Sequence, residues 1–374
     1  MSRKVPSGSK LVSAAVAVSI LAMFVMLSSA VAQKTTGKKP ETNYDFTPVT
    51  EYVEKGYKAA ELPGAALLVY QDGKIIYEKF FGEYNETTQV PIASSSKWLS
   101  AAVIMSLVDE GKIDLDAPVS KYLPNFTGKK GAITLRQMFS HTSGLSDFPG
   151  EWNYGMTIAE YADKVASEGL MKVDPGTEIR YGSMGMQIGG RVAEVVSGKG
   201  WNQLFKERIA EKCEMPNTTF ARTEKNRNPM LAGGAFSTLR DYGHFLEMLI
   251  NKGVYKGRRV LSEKAVREMQ KDQTKNLPLV IASNDRMGRK SHYGLGEWID
   301  EQDAKGNTLQ VSSPGAFGFR PWINHPRNLF GVWMVQHQRR TGQQPAQLAQ
   351  PPGYNPWDLI DLVHTTISKT KSGR

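Results

Sequence analysis

The chain has 374 residues, 40% of them apolar and 22% charged, which is typical of a folded protein with one large domain or two small ones. Its formal net charge is +10, but no stretch interleaves basic with aromatic residues, so we expect no nucleic-acid partner. The single cysteine, Cys213, excludes an internal disulfide and is expected to be a small buried apolar residue. The six histidines are scattered, and we expect neither a metal site nor a cofactor.

The first 32 residues are predicted to be a secretory signal peptide. An uncharged stretch, 11–32, follows three basic residues and ends in Ala30-Val31-Ala32, a small-x-small cleavage pattern. Cleavage would give an exported protein, periplasmic or extracellular. The stretch is long enough to span a bilayer, so a membrane anchor is the alternative if the leader is not cleaved. Residues 33–45 are predicted to be a polar linker.

Predicted strands lie towards both ends of the remaining chain, 46–374. A helix from Thr47 to about Glu61 precedes two β-rich runs, Ala65–Tyr70 and Ile75–Phe81, with the hairpin signal Asp72-Gly73 between them. The later predicted strands are Tyr293–Ile299, Thr308–Ser312, Ala316–Ile323 and Leu329–Gln336. A final helix is predicted from about Trp357 to Ile367.

Short connections between these strands favour antiparallel pairing. We therefore predict an α+β fold in which both ends of the chain build one antiparallel sheet flanked by helices. The α/β part would cover about 46–115 and 290–374, and a mostly helical subdomain would be inserted at about 116–289.

Ser94 and Lys97 form a Ser-x-x-Lys motif at the start of an apolar helical pattern. A helix from Ser94 to about Glu110 would place the hydroxyl and the ammonium on one face, where a lysine can take the serine proton. The same spacing recurs at Ser7/Lys10 and Ser368/Lys371, but only the middle match precedes a core-like helix. On spacing alone, a helix whose serines serve as caps explains the pattern equally well.

Further segments follow the motif in a characteristic order: 135–145, 175–183, 233–242 and 313–318. Together with Ser94-x-x-Lys97 they resemble the serine β-lactamase and penicillin-binding-protein superfamily. The likeness is greatest to its branch of class C β-lactamases, D-alanyl-D-alanine carboxypeptidases and family VIII esterases, and it covers about residue 46 to the end. The resemblance implies a β-lactamase/transpeptidase-like fold and serine chemistry through an acyl-enzyme.

The resemblance also assigns site residues. Ser94 would be the nucleophile, Lys97 its lysine, and Tyr181 the tyrosine of a Tyr-x-Asn motif that moves the proton to the leaving group. The third position of that motif is Ser183, where the family usually has an asparagine that contacts a substrate amide. The third motif, usually Lys-Thr-Gly or His-x-Gly, is Ser313-Pro314-Gly315 here, so the cation that binds a substrate carboxylate is missing.

By the same resemblance, the backbone N–H groups of Ser94 and Ala316 would form the oxyanion hole. Ser183, Ser313 and Gly315 would line the substrate site, the glycine allowing close backbone approach to a ligand. Free lysine and tyrosine both titrate near ~10, so whether Lys97 or Tyr181 is the general base stays open.

Other side chains receive structural interpretations. His141, in a Ser-His-Thr-Ser-Gly run, is expected to be a turn residue rather than a triad base. Core packing is the expectation for four aromatic residues, with a pocket lining as the alternative: Trp98, Trp152, Phe317 and Trp322.

We therefore expect an exported serine hydrolase that acts on a small molecule or peptide: an ester, an amide or D-amino-acid peptide, or a β-lactam. The missing cation favours an esterase or amidase over a dedicated β-lactamase, unless Arg320 or another basic residue substitutes for it. The alternative is a non-catalytic or single-turnover penicillin- or peptidoglycan-binding sensor or wall-binding protein, which the altered second and third motifs favour. The natural substrate and the oligomeric state stay open.

Overall fold

A computed structural model describes residues 1, 44–145, 152–168, 171–223, 225–275, 277–281, 292–337 and 355–371. The predicted signal peptide and nearly all of the predicted linker lie outside the described residues. Within the described ranges, no helix has both the length and the apolarity needed to cross a membrane. The architecture below belongs to one unit, Asn43–Arg374.

Within the described residues, seven strands form one antiparallel sheet. In chain order they are β1 (Gly64–Gln71), β2 (Lys74–Gly82), β3 (His292–Tyr293), β4 (Trp298–Gln302), β5 (Thr308–Ser312), β6 (Arg320–Asn324) and β7 (Leu329–Met334). In space they run β2-β1-β7-β6-β5-β4-β3, and every pair is antiparallel. The predicted α+β class, with one sheet built from both ends of the chain, is therefore confirmed.

The turn between β1 and β2 follows its sequence signal. Asp72 and Gly73 have φ values of 49° and 86°, the two positive angles that a type I′ hairpin turn requires. Aspartate tolerates this conformation better than most residues, and glycine adopts it without a steric penalty.

Two of the predicted later strands are interrupted. The predicted strand Tyr293–Ile299 is split because Gly294 N–H donates to the Glu297 carbonyl and Gly296 has φ 83°. The predicted strand Ala316–Ile323 begins only at Arg320, because Gly318 N–H donates to the Gly315 carbonyl at 2.9 Å and closes a turn. Both corrections lie beside Ser94-x-x-Lys97 in space, as shown below.

The helices are α1 (Thr47–Ala59), α2 (Ser96–Asp109), α3 (Gly128–Gly131), α4 (Leu135–Phe139), α5 (Ile158–Glu168), α6 (Met184–Ser197), α7 (Trp201–Phe205), α8 (Leu239–Ile250), α9 (Glu263–Met269) and α10 (Pro356–Lys371). Short 3-10 turns cover Ala93–Ser95 and Val119–Lys121, and a π turn covers Lys206–Ala210. Three small strand pairs join Val90–Pro91 to Phe236–Ser237, Ile179–Arg180 to Leu279–Ile281, and Val254–Tyr255 to Arg258–Arg259.

Helices cover both faces of the sheet, and β1 is buried on both sides. Its alternate residues Ala65, Leu67 and Val69 pack in a core that also contains residues of α1 and α10. The intervening Ala66, Leu68 and Tyr70 pack in a larger core with α2 and α8. This alternation is what a strand with two covered faces produces. Helix α2, buried from Ser96 to Leu107, is the central helix of the larger core.

Candidate active site

Ser94 lies in the 3-10 turn Ala93–Ser95, directly before α2 rather than in its first turn as predicted. Ala93 has φ 44°, an unusual angle for a residue with a Cβ, and backbone strain of this kind is concentrated at functional sites. The turn's first hydrogen bond runs from Ser95 N–H to the Ile92 carbonyl at 3.1 Å. The preceding Ser94 N–H therefore belongs to the helix-terminal donors that lack an intrahelical acceptor.

The three consecutive serines have three different surroundings. Ser94 Oγ accepts a hydrogen bond from Lys97 Nζ at 3.2 Å. Ser95 Oγ donates to the Ser313 carbonyl at 2.5 Å. Ser96 Oγ donates to the Ala93 carbonyl at 2.6 Å and accepts from Ala235 N–H at 3.0 Å. Ser94 is thus the serine of this run that the lysine contacts.

Lys97 is almost fully buried, with 3% of its surface exposed. Besides contacting Ser94, its Nζ donates to the Ala232 carbonyl at 2.7 Å. It also lies 4.5 Å from the centre of the Tyr181 ring, close enough for a cation–π contact. The structure therefore brings together the three residues predicted to be catalytic.

An aromatic cluster holds Tyr181 in place. Its ring stacks on Trp298 with centroids 5.2 Å apart and an interplanar angle of 20°. Tyr293 meets the same ring edge-on at 6.0 Å. Ser183 follows two residues later as the half-buried N-cap residue of α6, so the second motif spans the entry to that helix.

His141 packs against this cluster, with its ring 4.4 Å from that of Tyr181 and 4.7 Å from that of Tyr293. Its backbone φ is 61°, and its Nδ1 accepts a hydrogen bond from Gly182 N–H at 3.3 Å. Burial, and then the charge of Lys97, lowers the pKa of His141 well below its ordinary value. A neutral imidazole whose Nδ1 accepts from the backbone suits the predicted turn role better than the role of a triad base.

The third motif lies against the nucleophile turn. Ser313 is 3% exposed, and its hydroxyl is within donating distance of the Gly296 carbonyl at 3.2 Å and the Ser94 carbonyl at 3.4 Å. A Cβ on Gly315 would clash with the Ile92 carbonyl oxygen. The close backbone approach expected of Gly315 is therefore made to the protein's own chain. Ala316, the next residue, is exposed.

Arg320 lies on the other side of the sheet from Ser94. Its guanidinium is 5.0 Å from the centre of the Trp357 ring, which belongs to the core beneath α10. This position does not suit the suggested replacement of the missing cation. Of the aromatic residues noted above, Trp98 and Trp322 are fully buried, while Trp152 and Phe317 are half-buried.

Glu297 is a buried carboxyl close to the site. It is 0% exposed, and among the described residues neither of its carboxylate oxygens has a hydrogen-bond partner. Burial, and then the charge of Asp300, raises the pKa of Glu297 well above its ordinary value. Burial, and then the charge of Glu297, raises the pKa of Tyr242 well above its ordinary value. The Tyr242 hydroxyl donates a hydrogen bond to the Ser95 carbonyl at 2.8 Å.

Sequence reasoning missed four residues that surround Ser94, Lys97 and Tyr181 in the structure: Ser95, Ala232, Trp298 and Glu297. Ala232 acts through its backbone carbonyl, a group that every residue has, so the residue type gives no signal of this role. Trp298 and Glu297 belong to a segment with strand-like composition. Ser95 lies between two other serines, and the sequence does not indicate which of the three contacts the third motif.

The family model described as Beta-lactamase matches residues 49–350 of this chain. A solved protein of Bacteroides dorei DSM 17855, provisionally called a beta-lactamase, has a TM-score of 0.77 and 34% identity, covering 87% of this chain and 99% of its own. A family VIII carboxylesterase has a TM-score of 0.68 at 18% identity, covering 86% and 97%, a likeness of fold alone.

Two curated relatives match over shorter segments. Protein flp of Staphylococcus aureus (strain MW2) is 26% identical over 198 residues, which is 49% of this chain and 40% of the relative. Penicillin-binding protein 4 of Amycolatopsis lactamdurans is 33% identical over 162 residues, which is 40% and 42% of the two chains. These matches span less than half the length of either relative. The family match and the 34% identical structure, both extending over most of the chain, show that it belongs to the Beta-lactamase family, as its motif order predicted.

Proposed function

We propose that this chain is an exported serine hydrolase that works through an acyl-enzyme on Ser94. The observation that carries the proposal is the 3.2 Å contact between Lys97 Nζ and Ser94 Oγ at the buried start of α2. A serine becomes a useful nucleophile when a neighbouring group takes its proton, and a lysine at this distance is placed to do so. Membership of the Beta-lactamase family supports the same reading.

The proposed reaction has four steps. Ser94 Oγ attacks the substrate carbonyl carbon as its proton passes to Lys97. The oxyanion accepts hydrogen bonds from the Ser94 and Ala316 N–H groups, and the positive end of α2 adds stabilisation. The intermediate collapses, and the leaving alcohol or amine departs with a proton delivered by way of Tyr181. Water then hydrolyses the Ser94 ester, releasing the acid and restoring the hydroxyl.

The substrate that fits this site best is an ester or amide without a carboxylate beside the scissile bond. The position of the family's cation is Ser313, whose hydroxyl faces backbone carbonyls, and Arg320 lies on the other face of the sheet. A penicillin-type carboxylate would therefore lack its usual ion pair. We expect kcat/KM for a neutral p-nitrophenyl ester to exceed that for benzylpenicillin by about 10-fold or more, since one charge-assisted hydrogen bond contributes ~1.5–3 kcal/mol. Equal or better turnover of the penicillin would contradict this preference.

Export rests on the N-terminal pattern, namely basic residues, an uncharged stretch and Ala30-Val31-Ala32. Expression of the full chain in a bacterial host, followed by fractionation and intact mass, tests it. A mature protein that begins at Gln33 outside the cytoplasm is the expected result. A full-length product in the membrane would instead support the anchor.

The second candidate is a penicillin-binding sensor that is acylated once. Ser183 and Ser313, which replace residues of the usual second and third motifs, favour it. Intact mass after incubation with a chromogenic ester or a fluorescent penicillin separates the candidates. Turnover lost in Ser94→Ala indicates the hydrolase, whereas a stable penicillin adduct without turnover indicates the sensor. Full activity in Ser94→Ala would contradict both.

A further inference from the structure

Two serine hydroxyls make contacts between the nucleophile turn, residues 93–95, and the third-motif loop, residues 313–319. Ser95 Oγ donates to the Ser313 carbonyl at 2.5 Å, across 218 residues of sequence. In the other direction, Ser313 Oγ lies 3.4 Å from the Ser94 carbonyl and 3.2 Å from the Gly296 carbonyl, so its one proton is shared between these two acceptors. Both residues are buried, at 0% and 3% exposed. We call this pair, Ser95 and Ser313, the serine clamp.

The loop on one side of the clamp is stiffened by its own hydrogen bonds. Gly315 N–H donates to the Phe319 carbonyl at 2.7 Å, and Gly318 N–H donates to the Gly315 carbonyl at 2.9 Å. From the residues that follow β7, His337 N–H donates to the Phe317 carbonyl at 2.8 Å. The loop is therefore expected to shift as a unit, carrying the Ala316 N–H with it.

The nucleophile turn is also held by hydrogen bonds from other segments. The Ser95 carbonyl accepts a hydrogen bond from the buried Tyr242 hydroxyl at 2.8 Å, and the Ser96 hydroxyl accepts one from Ala235 N–H at 3.0 Å. Two stiff segments thus meet at the clamp and at the close packing of Gly315 on Ile92. Van der Waals packing limits how closely the loop approaches the nucleophile turn, and the hydrogen bonds of the two serine hydroxyls set the orientation of one segment relative to the other.

We infer that Ser95 and Ser313 are positioning residues that fix the Ala316 N–H relative to the Ser94 N–H, and so shape the oxyanion hole. The inference rests on the proposed function, in which those two groups stabilise the tetrahedral intermediate. It assigns the Ser313 hydroxyl to the protein rather than to substrate. Oxyanion donors act at about 2.7–3.1 Å from the developing charge, and a misplacement of about 1 Å can cost about 10²-fold in rate.

The test compares Ser95→Ala, Ser313→Ala and the double variant with the wild type. Ser106→Ala is the matched control, because its buried hydroxyl donates to the Val103 carbonyl at 2.7 Å, a bond within α2. Each protein is assayed for kcat and KM with a p-nitrophenyl ester, and for inhibition by phenylboronic acid, which bonds to a nucleophilic serine and presents a tetrahedral oxyanion.

We expect Ser95→Ala to lower kcat by about 10- to 100-fold, with KM changed less than about threefold and the boronate inhibition constant raised in parallel. Ser313→Ala should act in the same direction, and the double variant should lose less than the product of the two effects, because both hydroxyls serve one geometry. Ser95→Cys, which keeps the side-chain size with a weaker donor, should lie between wild type and Ser95→Ala.

Three results would overturn the inference. A folded Ser95→Ala with unchanged kcat and boronate inhibition would do so while leaving the hydrolase intact. A variant with a lower melting temperature but unchanged turnover per folded molecule would reduce the clamp to a stability role. Wild-type turnover that survives Ser94→Ala would instead contradict the proposed function, and the inference would fall with it.

Discussion

Two ionisable side chains, Lys97 and Glu297, are buried close to the nucleophile turn, and their hydrogen-bond surroundings are opposite in kind. Lys97 is 3% exposed, contacts the Ser94 hydroxyl, and donates to the Ala232 carbonyl at 2.7 Å. Glu297 is 0% exposed, and within the described part of the chain its carboxylate oxygens have no hydrogen-bond partner. The first group is buried with partners, and the second is buried without them.

This difference in hydrogen-bond partners is the basis for assigning the two groups different roles. A buried ionisable group is costly unless it is hydrogen-bonded or gives up its charge. Lys97 has two hydrogen-bond acceptors, Ser94 Oγ and the Ala232 carbonyl. Glu297 avoids the cost by keeping its proton, since burial and Asp300 raise its pKa well above the ordinary value. We therefore expect changes at Lys97 to act on turnover and changes at Glu297 to act on stability.

The largest expected effect is at Lys97. Replacement Lys97→Met keeps the length of the side chain and removes the proton acceptor, so kcat/KM for a p-nitrophenyl ester should fall by about 10²–10⁴-fold. Lys112→Met, at an exposed lysine beyond the end of α2, is the control and should retain wild-type activity. Turnover within threefold of wild type in Lys97→Met would remove the lysine from the mechanism.

Tyr181→Phe should have the next largest effect. The phenyl ring keeps the stacking on Trp298 and the contact with Lys97, so the loss isolates the hydroxyl. We expect kcat to fall by about 10²-fold for alkyl esters, whose leaving group needs a proton, and much less for p-nitrophenyl esters. Equal losses for both classes would show that the hydroxyl does not serve the leaving group.

Glu297→Gln should change stability and its pH dependence. Because the folded-state pKa of Glu297 is raised, the folded protein holds a proton that the unfolded chain releases, and stability falls as pH rises above the ordinary glutamate value near ~4.3. Glutamine does not titrate, so at pH 8 the variant should gain about 1.4 kcal/mol relative to wild type for each unit by which the fold raises the pKa of Glu297, and little at pH 4.

Denaturant unfolding of both proteins at pH 4, 6 and 8 measures this difference. Glu83→Gln, at an exposed position, is the control and should follow the wild-type curve. A constant difference between Glu297→Gln and wild type across the three pH values would contradict the assignment of a protonated carboxyl.

The smallest effect concerns Cys213, a third buried ionisable group. The residue is 0% exposed, and burial raises the pKa of its thiol to about 12. A thiol of this kind stays protonated and unreactive at pH 8. Iodoacetamide should leave the native protein unlabelled over an hour and label it fully in denaturant. Rapid labelling of the native protein would show that Cys213 is accessible.

The sheet and the family could be predicted from the sequence because their signals are local. Alternating apolar residues, Asp72-Gly73 and the order of five short motifs each report on a few adjacent residues. The turn at 315–318 and the break at 294–297 could not be predicted, since both lie in strand-like composition and depend on backbone hydrogen bonds.

The residues that surround the candidate catalytic side chains could likewise not be predicted from the sequence. The Ala232 carbonyl that accepts from Lys97, and the Ser95 hydroxyl that reaches Ser313, depend on contacts across 135 and 218 residues. Glu297 is a charged residue in the sequence, and its burial becomes visible only in the fold. Residue types therefore indicated the reaction, while the partners of those residues required the structure.

The central claim, that Ser94 is a nucleophile activated by Lys97, is tested most directly by an active-site label. A fluorophosphonate ester forms a stable bond with an activated serine, and intact mass followed by peptide mapping locates it. We predict one adduct per chain on Ser94, formed at least about 10²-fold more slowly in Lys97→Met. No adduct, or an adduct on another residue that persists in Ser94→Ala, would contradict the account.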